Sequence, residues 1–171
     1  MTQPHTDYDT IVVGGGPSGA TAAHELAHKG HRVLLLERGF RIKPCGGAIP
    51  PCLLQEFNIP DHLVVARIRS ARMISPKGQS VDMPIDGTFV GMVDRDEFDP
   101  WLRQRASEAG ATVVPGVFKS LEYQEELVSL TYQTKDENPR TITVTARSVL
   151  GADGARSAVA GVAREHHRHL L

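Results

Sequence analysis

Gly14, Gly16 and Gly19 stand at a spacing that lets a main chain bind an anion, because they follow the apolar run Tyr8–Val13 and precede an alanine-rich run. Each has its own task. Gly14 permits a tight turn, Gly16 lets backbone N–H groups approach a pyrophosphate, and Gly19 allows the next helix to pack closely on the strand. The whole stretch, Gly14, Gly15, Gly16, Pro17, Ser18, Gly19 and Ala20, is therefore the candidate phosphate cradle, since a helix opening there offers unpaired donors and the positive end of its dipole. Glu37 ends the following apolar run, where its carboxylate would accept hydrogen bonds from a ribose diol and repel a phosphate on that ribose. The pattern is that of a dinucleotide site and leaves open which dinucleotide binds.

The other reactive side chains carry weaker patterns. Cys45 and Cys52 are the only cysteines, too few for a disulfide framework and without the companion spacing of a zinc site. His24 and His28 are one helical turn apart, but Glu25 is followed by Leu26 and Ala27 and no third ligand accompanies the pair. A solvated helix face is expected there, and no metal site. Arg164-Glu165-His166-His167-Arg168-His169 reads as a disordered basic tail.

Positioning the cradle requires a strand, a helix and a second strand. Tyr8–Val13 reads as a buried strand, Ala20, Ala22, Ala23, Leu26 and Ala27 as the apolar side of a helix ended by Gly30, and His31–Glu37 as the second strand, joined by a right-handed parallel crossover. From Arg38 to about Asp86 prolines interrupt the pattern, which predicts an excursion of short elements. Regularity returns at Phe89–Val93, then Asp94 as a cap and a helix to about Ala109 with Phe98, Leu102, Ala106 and Ala109 as its stripe. Thr112–Val114 reads as a third parallel strand. Leu127–Thr134 and Thr141–Thr145 alternate as an antiparallel hairpin, and Ser148–Leu150 as a strand that delivers Gly151-Ala152-Asp153-Gly154 to the edge of a sheet.

Composition bounds the partners. The chain has 171 residues, 40% of them apolar, with 19 Lys plus Arg against 20 Asp plus Glu and a formal charge of -1. That size suits one domain or part of a larger one, and near-neutrality argues against a nucleic-acid binder, which needs a basic surface to displace phosphate counterions. No apolar run approaches the ~18–20 residues that cross a bilayer, and the N-terminus lacks a basic region followed by an apolar one, so a cytoplasmic location is expected.

Gly151-Ala152-Asp153-Gly154-Ala155-Arg156-Ser157 resembles the second FAD motif of the para-hydroxybenzoate-hydroxylase-like flavoproteins, and Asp94-Arg95-Asp96-Glu97-Phe98-Asp99 resembles their helix-opening segment. This resemblance implies FAD as the dinucleotide, with Asp153 and Gly154 near its pyrophosphate and ribityl chain and Arg95 reaching it. Arg41-Ile42-Lys43-Pro44-Cys45-Gly46-Gly47-Ala48-Ile49-Pro50, with Ile59–Leu63, Ala71–Gly78 and Val81–Ile85 after it, is similar to the geranylgeranyl reductase family, most of all its chlorophyll and bacteriochlorophyll branch. That family implies FAD, NADPH as reductant, and a prenyl lipid or geranylgeranylated pigment as substrate, met peripherally at a photosynthetic membrane. An isolated alkene accepts a hydride only if a proton reaches its other carbon. By resemblance Cys45 lies near the isoalloxazine as a candidate for that acid or for ordering the prenyl chain, Gly46 and Gly47 are close-approach residues for flavin or substrate, and Arg38 is a further contact beside Glu37.

The expected fold is α/β, a Rossmann-like FAD-binding domain of the para-hydroxybenzoate-hydroxylase type with its C-terminal part missing. Residues 8–40 form the dinucleotide-binding unit, 41–90 the excursion with Pro-Cys-Gly-Gly, 91–160 the remainder of the FAD-binding region and 161–171 a tail. Two other functions fit the same scaffold, an FAD-dependent aromatic-type monooxygenase and a catalytically silent, truncated FAD-binding remnant. Oligomeric state is left open.

Overall fold

The computed structural model describes residues 5–39, 45, 47–124 and 126–169. In chain order the first elements are β1 (Tyr8–Val13), α1 (Pro17–His28), β2 (Val33–Glu37), β3 (Ala48–Ile49), α2 (Pro51–Glu56), β4 (Val64–Ile68), β5 (Ser70–Ile74) and β6 (Ser80–Pro84). They are followed by β7 (Val90–Val93), α3 (Arg95–Glu108), β8 (Thr112–Gln124), β9 (Leu127–Thr134), β10 (Thr141–Gly151) and α4 (Ala158–His169). The described residues fall into two compact units, one drawn from Met1–Phe40 and Asp99–Leu171, the other from Arg41–Phe98.

The first unit is an α/β structure built on the strand, helix, strand crossover. β1 and β2 pair in parallel, Ile11 opposite Leu34 and Val13 opposite Leu36. All five residues of β2 are buried, as befits the continuous run Val33-Leu34-Leu35-Leu36 in a strand covered on both faces. Burial of each such leucine contributes about 2 kcal/mol. Helix α1 presents Gly19, Ala20, Ala23 and Ala27 as its buried side, a small-residue stripe that brings its axis close to the sheet.

Two long strands each serve twice. β8 pairs in parallel with β2 from Thr112 to Pro115 and antiparallel with β9 from Gly116 to Gln124. β10 pairs antiparallel with β9 from Thr141 to Ala146 and then in parallel with β1 as far as Gly151. Hydrogen bonding therefore closes on itself in the order β1-β10-β9-β8-β2. Ile11, Leu34, Leu36, Leu130, Tyr132 and Ala146 fill the interior, joined by Val159 of α4.

Three expectations are corrected here. The third parallel strand does not stop at Val114 but runs to Gln124, and Ser148–Leu150 is the end of β10, not a separate strand. A strand that passes from one ladder to another changes its burial pattern midway and so reads as two. Arg164–His169 continues α4, because Val159 anchors that helix in the core and Asp153 caps it.

In the second unit β7 is the centre of a three-stranded antiparallel sheet, β3-β7-β4, and β5 and β6 form a separate ribbon. A single 3-10 turn, Asp61–Leu63, precedes β4. Every residue of the ribbon's two strands is exposed. Its register sets Met73 opposite Val81 and Ala71 opposite Met83, which alternation puts on one face, while Arg72 and Asp82 join across the other by two hydrogen bonds of 2.6 and 2.8 Å. Among the described residues no helix is long and apolar enough to cross a membrane.

Candidate functional site

Two glycine turns from distant parts of the chain meet main chain to main chain. β1 ends at Val13, whose carbonyl accepts the Ala152 N–H at 2.8 Å, and the Gly14 N–H donates to the Leu36 carbonyl at 2.7 Å. Gly14 lies at φ +108°, and a Cβ there would sit 2.4 Å from the Ala152 oxygen. A Cβ on Gly19 would sit 1.8 Å from the Gly14 oxygen and 3.0 Å from the Ala152 Cβ. Only glycine satisfies both positions, so the turn after β1 and the turn after β10 form one surface.

That surface can receive an anion. Gly16 opens α1 with extended geometry, no side chain caps the helix, and its first turn contains no acid. Pro17 fills a position whose N–H would have been unpaired, and Ser18 is exposed at the mouth. The N–H groups of the first turn are left for a ligand. Ala20, within that stretch, is committed to the helix, its N–H donating to the Gly16 carbonyl at 2.9 Å.

Glu37 is buried at the end of β2. Its Oε2 accepts the Gly15 N–H at 2.6 Å and its Oε1 the Gly39 N–H at 2.9 Å. A carboxylate has about four acceptor positions, so lone pairs remain for a ribose diol. Arg38 beside it is exposed. The sequence reading passed over Arg103 on α3, whose Nη1 donates to the Gly15 carbonyl at 3.1 Å. Nothing in the local pattern ties an arginine on the polar side of that helix to a glycine turn so far away.

Asp153 faces two ways. Its Oδ2 accepts the Ala158 N–H at 2.7 Å and, less closely, the Val159 N–H at 3.4 Å, which caps α4. Burial pushes the carboxyl up, but hydrogen bonds from the Ser157 side chain and from the Ala158, Asp153 and Val159 amides outweigh it and hold the group below the usual aspartate value. Its Oδ1 is buried with no partner among the described residues. An orphaned acceptor costs about 1–3 kcal/mol unless something donates to it, and a ligand hydroxyl would. Gly154 follows at φ +91° with open space around it. Uncapped donors, a cradle closed to any Cβ and an orphaned carboxylate oxygen suit a dinucleotide's phosphates and hydroxyls.

Cys45, Gly47 and Arg95 belong to the second unit, and Gly46 lies outside the described residues. Gly47 is at φ +66°, a Cβ there would meet the Val93 oxygen at 2.0 Å, and its own carbonyl accepts the Val93 N–H at 3.0 Å. Its glycine is thus required by the pairing of β3 with β7. Cys45 is exposed. Arg95 is half-buried in the first turn of α3, beside Asp94, whose carboxyl is raised by a hydrogen bond and repulsion from Asp96. In the first unit the His24 and His28 rings stack at 5.8 Å, and His24 Nε2 accepts the Arg105 Nε–H at 3.2 Å. Among the described residues no group of three side chains could hold a metal ion.

Residues 12–50 match a family model described as an NAD(P)-binding Rossmann-like domain. The chain is 53% identical over 152 residues to a geranylgeranyl diphosphate reductase of Rhodobacter capsulatus, an alignment spanning 89% of this chain and 39% of that protein. It is 42% identical over 115 residues to a digeranylgeranylglycerophospholipid reductase of Methanoculleus marisnigri, over 63% of this chain and 29% of that one. Among solved structures, a geranylgeranyl bacteriochlorophyll reductase-like protein of Thermoplasma acidophilum superposes with a TM-score of 0.76 at 27% identity, covering 86% of this chain and 39% of that chain. The chain spans about two-fifths or less of the length of these proteins.

Proposed function

The chain belongs to the geranylgeranyl reductase family, and from that premise we propose that it supplies the FAD-holding part of an oxidoreductase that saturates double bonds of a geranylgeranyl chain. The observation that carries this reading is the contact of the Gly14 turn with Ala152 and Asp153, which joins the two motifs a flavin dinucleotide would bridge. Gly14 to Ala20 would take the pyrophosphate at the uncapped end of α1, Glu37 with Arg38 the adenosine ribose, and Asp153 Oδ1 with Gly154 a hydroxyl of the ribityl chain. When bound, the flavin supplies two-electron transfer to carbon, and NADPH is the reductant this reading assigns to it.

The names of the relatives narrow the substrate class. One acts on a diphosphate and another on a glycerophospholipid, so the shared feature is the prenyl tail, and the tail is what the site is proposed to recognise. A pigment ester fits the same rule, with a peripheral encounter at the membrane that holds it.

Flavin content of the purified chain, read by absorbance before and after denaturation, tests the reading. Near-stoichiometric FAD is the expected result, followed by bleaching with NADPH under anaerobic conditions. Absence of flavin even after incubation with excess FAD overturns the assignment of these residues to the cofactor.

A further inference from the structure

Gly15 is held on both sides. A Cβ there would lie 2.9 Å from the Glu37 Cβ and 3.1 Å from the Arg103 Cδ. Its N–H donates to Glu37 Oε2 at 2.6 Å, and its carbonyl accepts from Arg103 Nη1 at 3.1 Å. These two groups belong to successive peptide planes. Glu37 fixes the Gly14–Gly15 plane and Arg103 fixes the Gly15–Gly16 plane.

In a trans peptide the carbonyl and the N–H point in opposite directions, and no peptide in the described chain is cis. Anchoring the Gly15 carbonyl on Arg103 therefore directs the Gly16 N–H to the other side, at the uncapped start of α1. Three consecutive glycines have the softest backbone of any sequence, so without that anchor the plane could rotate and withdraw the donor.

We infer that Arg103 is a positioning residue of the phosphate cradle, holding the Gly15–Gly16 peptide in the orientation that presents the Gly16 N–H to the diphosphate of a nucleotide. The inference rests on the dinucleotide reading of this site. It assigns Arg103 to the diphosphate, not to the adenosine, and to geometry, not to charge.

The test is calorimetric titration of the 171-residue chain with ADP and with adenosine, in the wild type, Arg103→Met and Arg103→Lys, with a thermal melt of each. Arg103→Met should weaken ADP about ten-fold, the loss of one charge-assisted hydrogen bond, and leave adenosine unchanged. Arg103→Lys keeps the charge but not the planar fork, and should weaken ADP about three-fold with adenosine again unchanged. If Arg103→Met does not fold, the lysine variant decides alone. ADP binding unaltered in either folded variant, or ADP and adenosine weakened equally, overturns the inference and leaves the dinucleotide reading intact. A wild-type chain that binds adenosine but gains nothing from the diphosphate overturns the dinucleotide reading, and the inference with it.

Discussion

In the first unit Ile11, Leu34 and Leu35 are wholly buried, whereas in the second Met73, Ile74 and Val81 remain 60%, 69% and 64% exposed. Both sets lie on strands with strong apolar character. The difference is in what each strand is given to face. β2 is covered on both sides within its own unit, so its apolar run is spent on the core that holds the glycine turns in place. In the β5–β6 ribbon Ala71, Met73, Val81 and Met83 share one face while Ile74 lies on the other with Arg72 and Asp82, and every residue of both strands is exposed. A two-stranded ribbon in water is marginal by itself. The lesson is that the cradle is locally complete, made of contacts between main-chain segments of one unit, while the ribbon's pattern refers to something other than its own interior.

Glycine substitutions break this comparison most sharply. Gly19→Ala would force a Cβ to within 1.8 Å of the Gly14 oxygen, a backbone atom that cannot swing aside. A loss of about 3 kcal/mol in urea unfolding is expected, with ADP binding lost at the same time. The matching change in the second unit, Gly78→Ala at the ribbon's turn, meets nothing within 4 Å and faces only its φ of +79°. That costs about 1 kcal/mol. Equal losses in the two variants would mean that the close packing of α1 on the Gly14 carbonyl contributes no more than the backbone conformation of a glycine.

The sequence was legible where function is carried by main chain. Gly14 and Gly19 could be read because a tight turn and a closely packed helix each demand glycine at one spacing, and the structure puts them where those demands apply, while Glu37 at the strand end is held by the Gly15 and Gly39 N–H groups. The strand, helix, strand crossover was equally clear from Val33-Leu34-Leu35-Leu36 and the alanines of α1. Less could be read from β8 and β10, whose doubled pairing depends on which strand lies beside each half. Arg103 was invisible for a related reason: what ties it to the turn is a bond to a carbonyl oxygen, which leaves no mark in sequence. Gly47 shows the converse, a glycine singled out for ligand approach whose observed need is to pair with Val93.

Asp153 offers an intermediate test, since one of its oxygens belongs to the fold and the other to the site. Asp153→Ala removes the acceptor of the Ala158 N–H at the start of α4, while Ser157 Oγ still accepts the Ala160 N–H, and should cost about 1 kcal/mol at pH 7. Because the folded state holds this carboxyl below its ordinary value of 3.8, its contribution is present above that pH and is lost as the pH falls through the lower, folded-state value. Asp7 and Asp9 are lowered too, by hydrogen bonds from Thr145 and Arg32, so the quantity to measure is the difference between the wild type and Asp153→Asn. That difference should shrink steadily below pH 4 on the acid limb of a stability profile. An unchanged gap down to pH 2 would show that the uncharged cap serves as well and that the shift has no bearing on α4.

The smallest effect is expected where the apolar pattern is strongest and the burial least. Met73→Ser and Val81→Ser remove facing side chains from the bare face of the ribbon, and each should change unfolding free energy by less than about 0.5 kcal/mol. Their effect should appear elsewhere, as reduced light scattering at high protein concentration, because a contiguous exposed apolar face promotes association. A loss comparable to that of Gly19→Ala would mean that this face is packed in solution after all, and the contrast between the two units would then be one of degree. Unchanged stability with lower scattering would place the ribbon's side chains outside the cooperative core, leaving the cradle as the part of the chain whose apolar pattern is fully used.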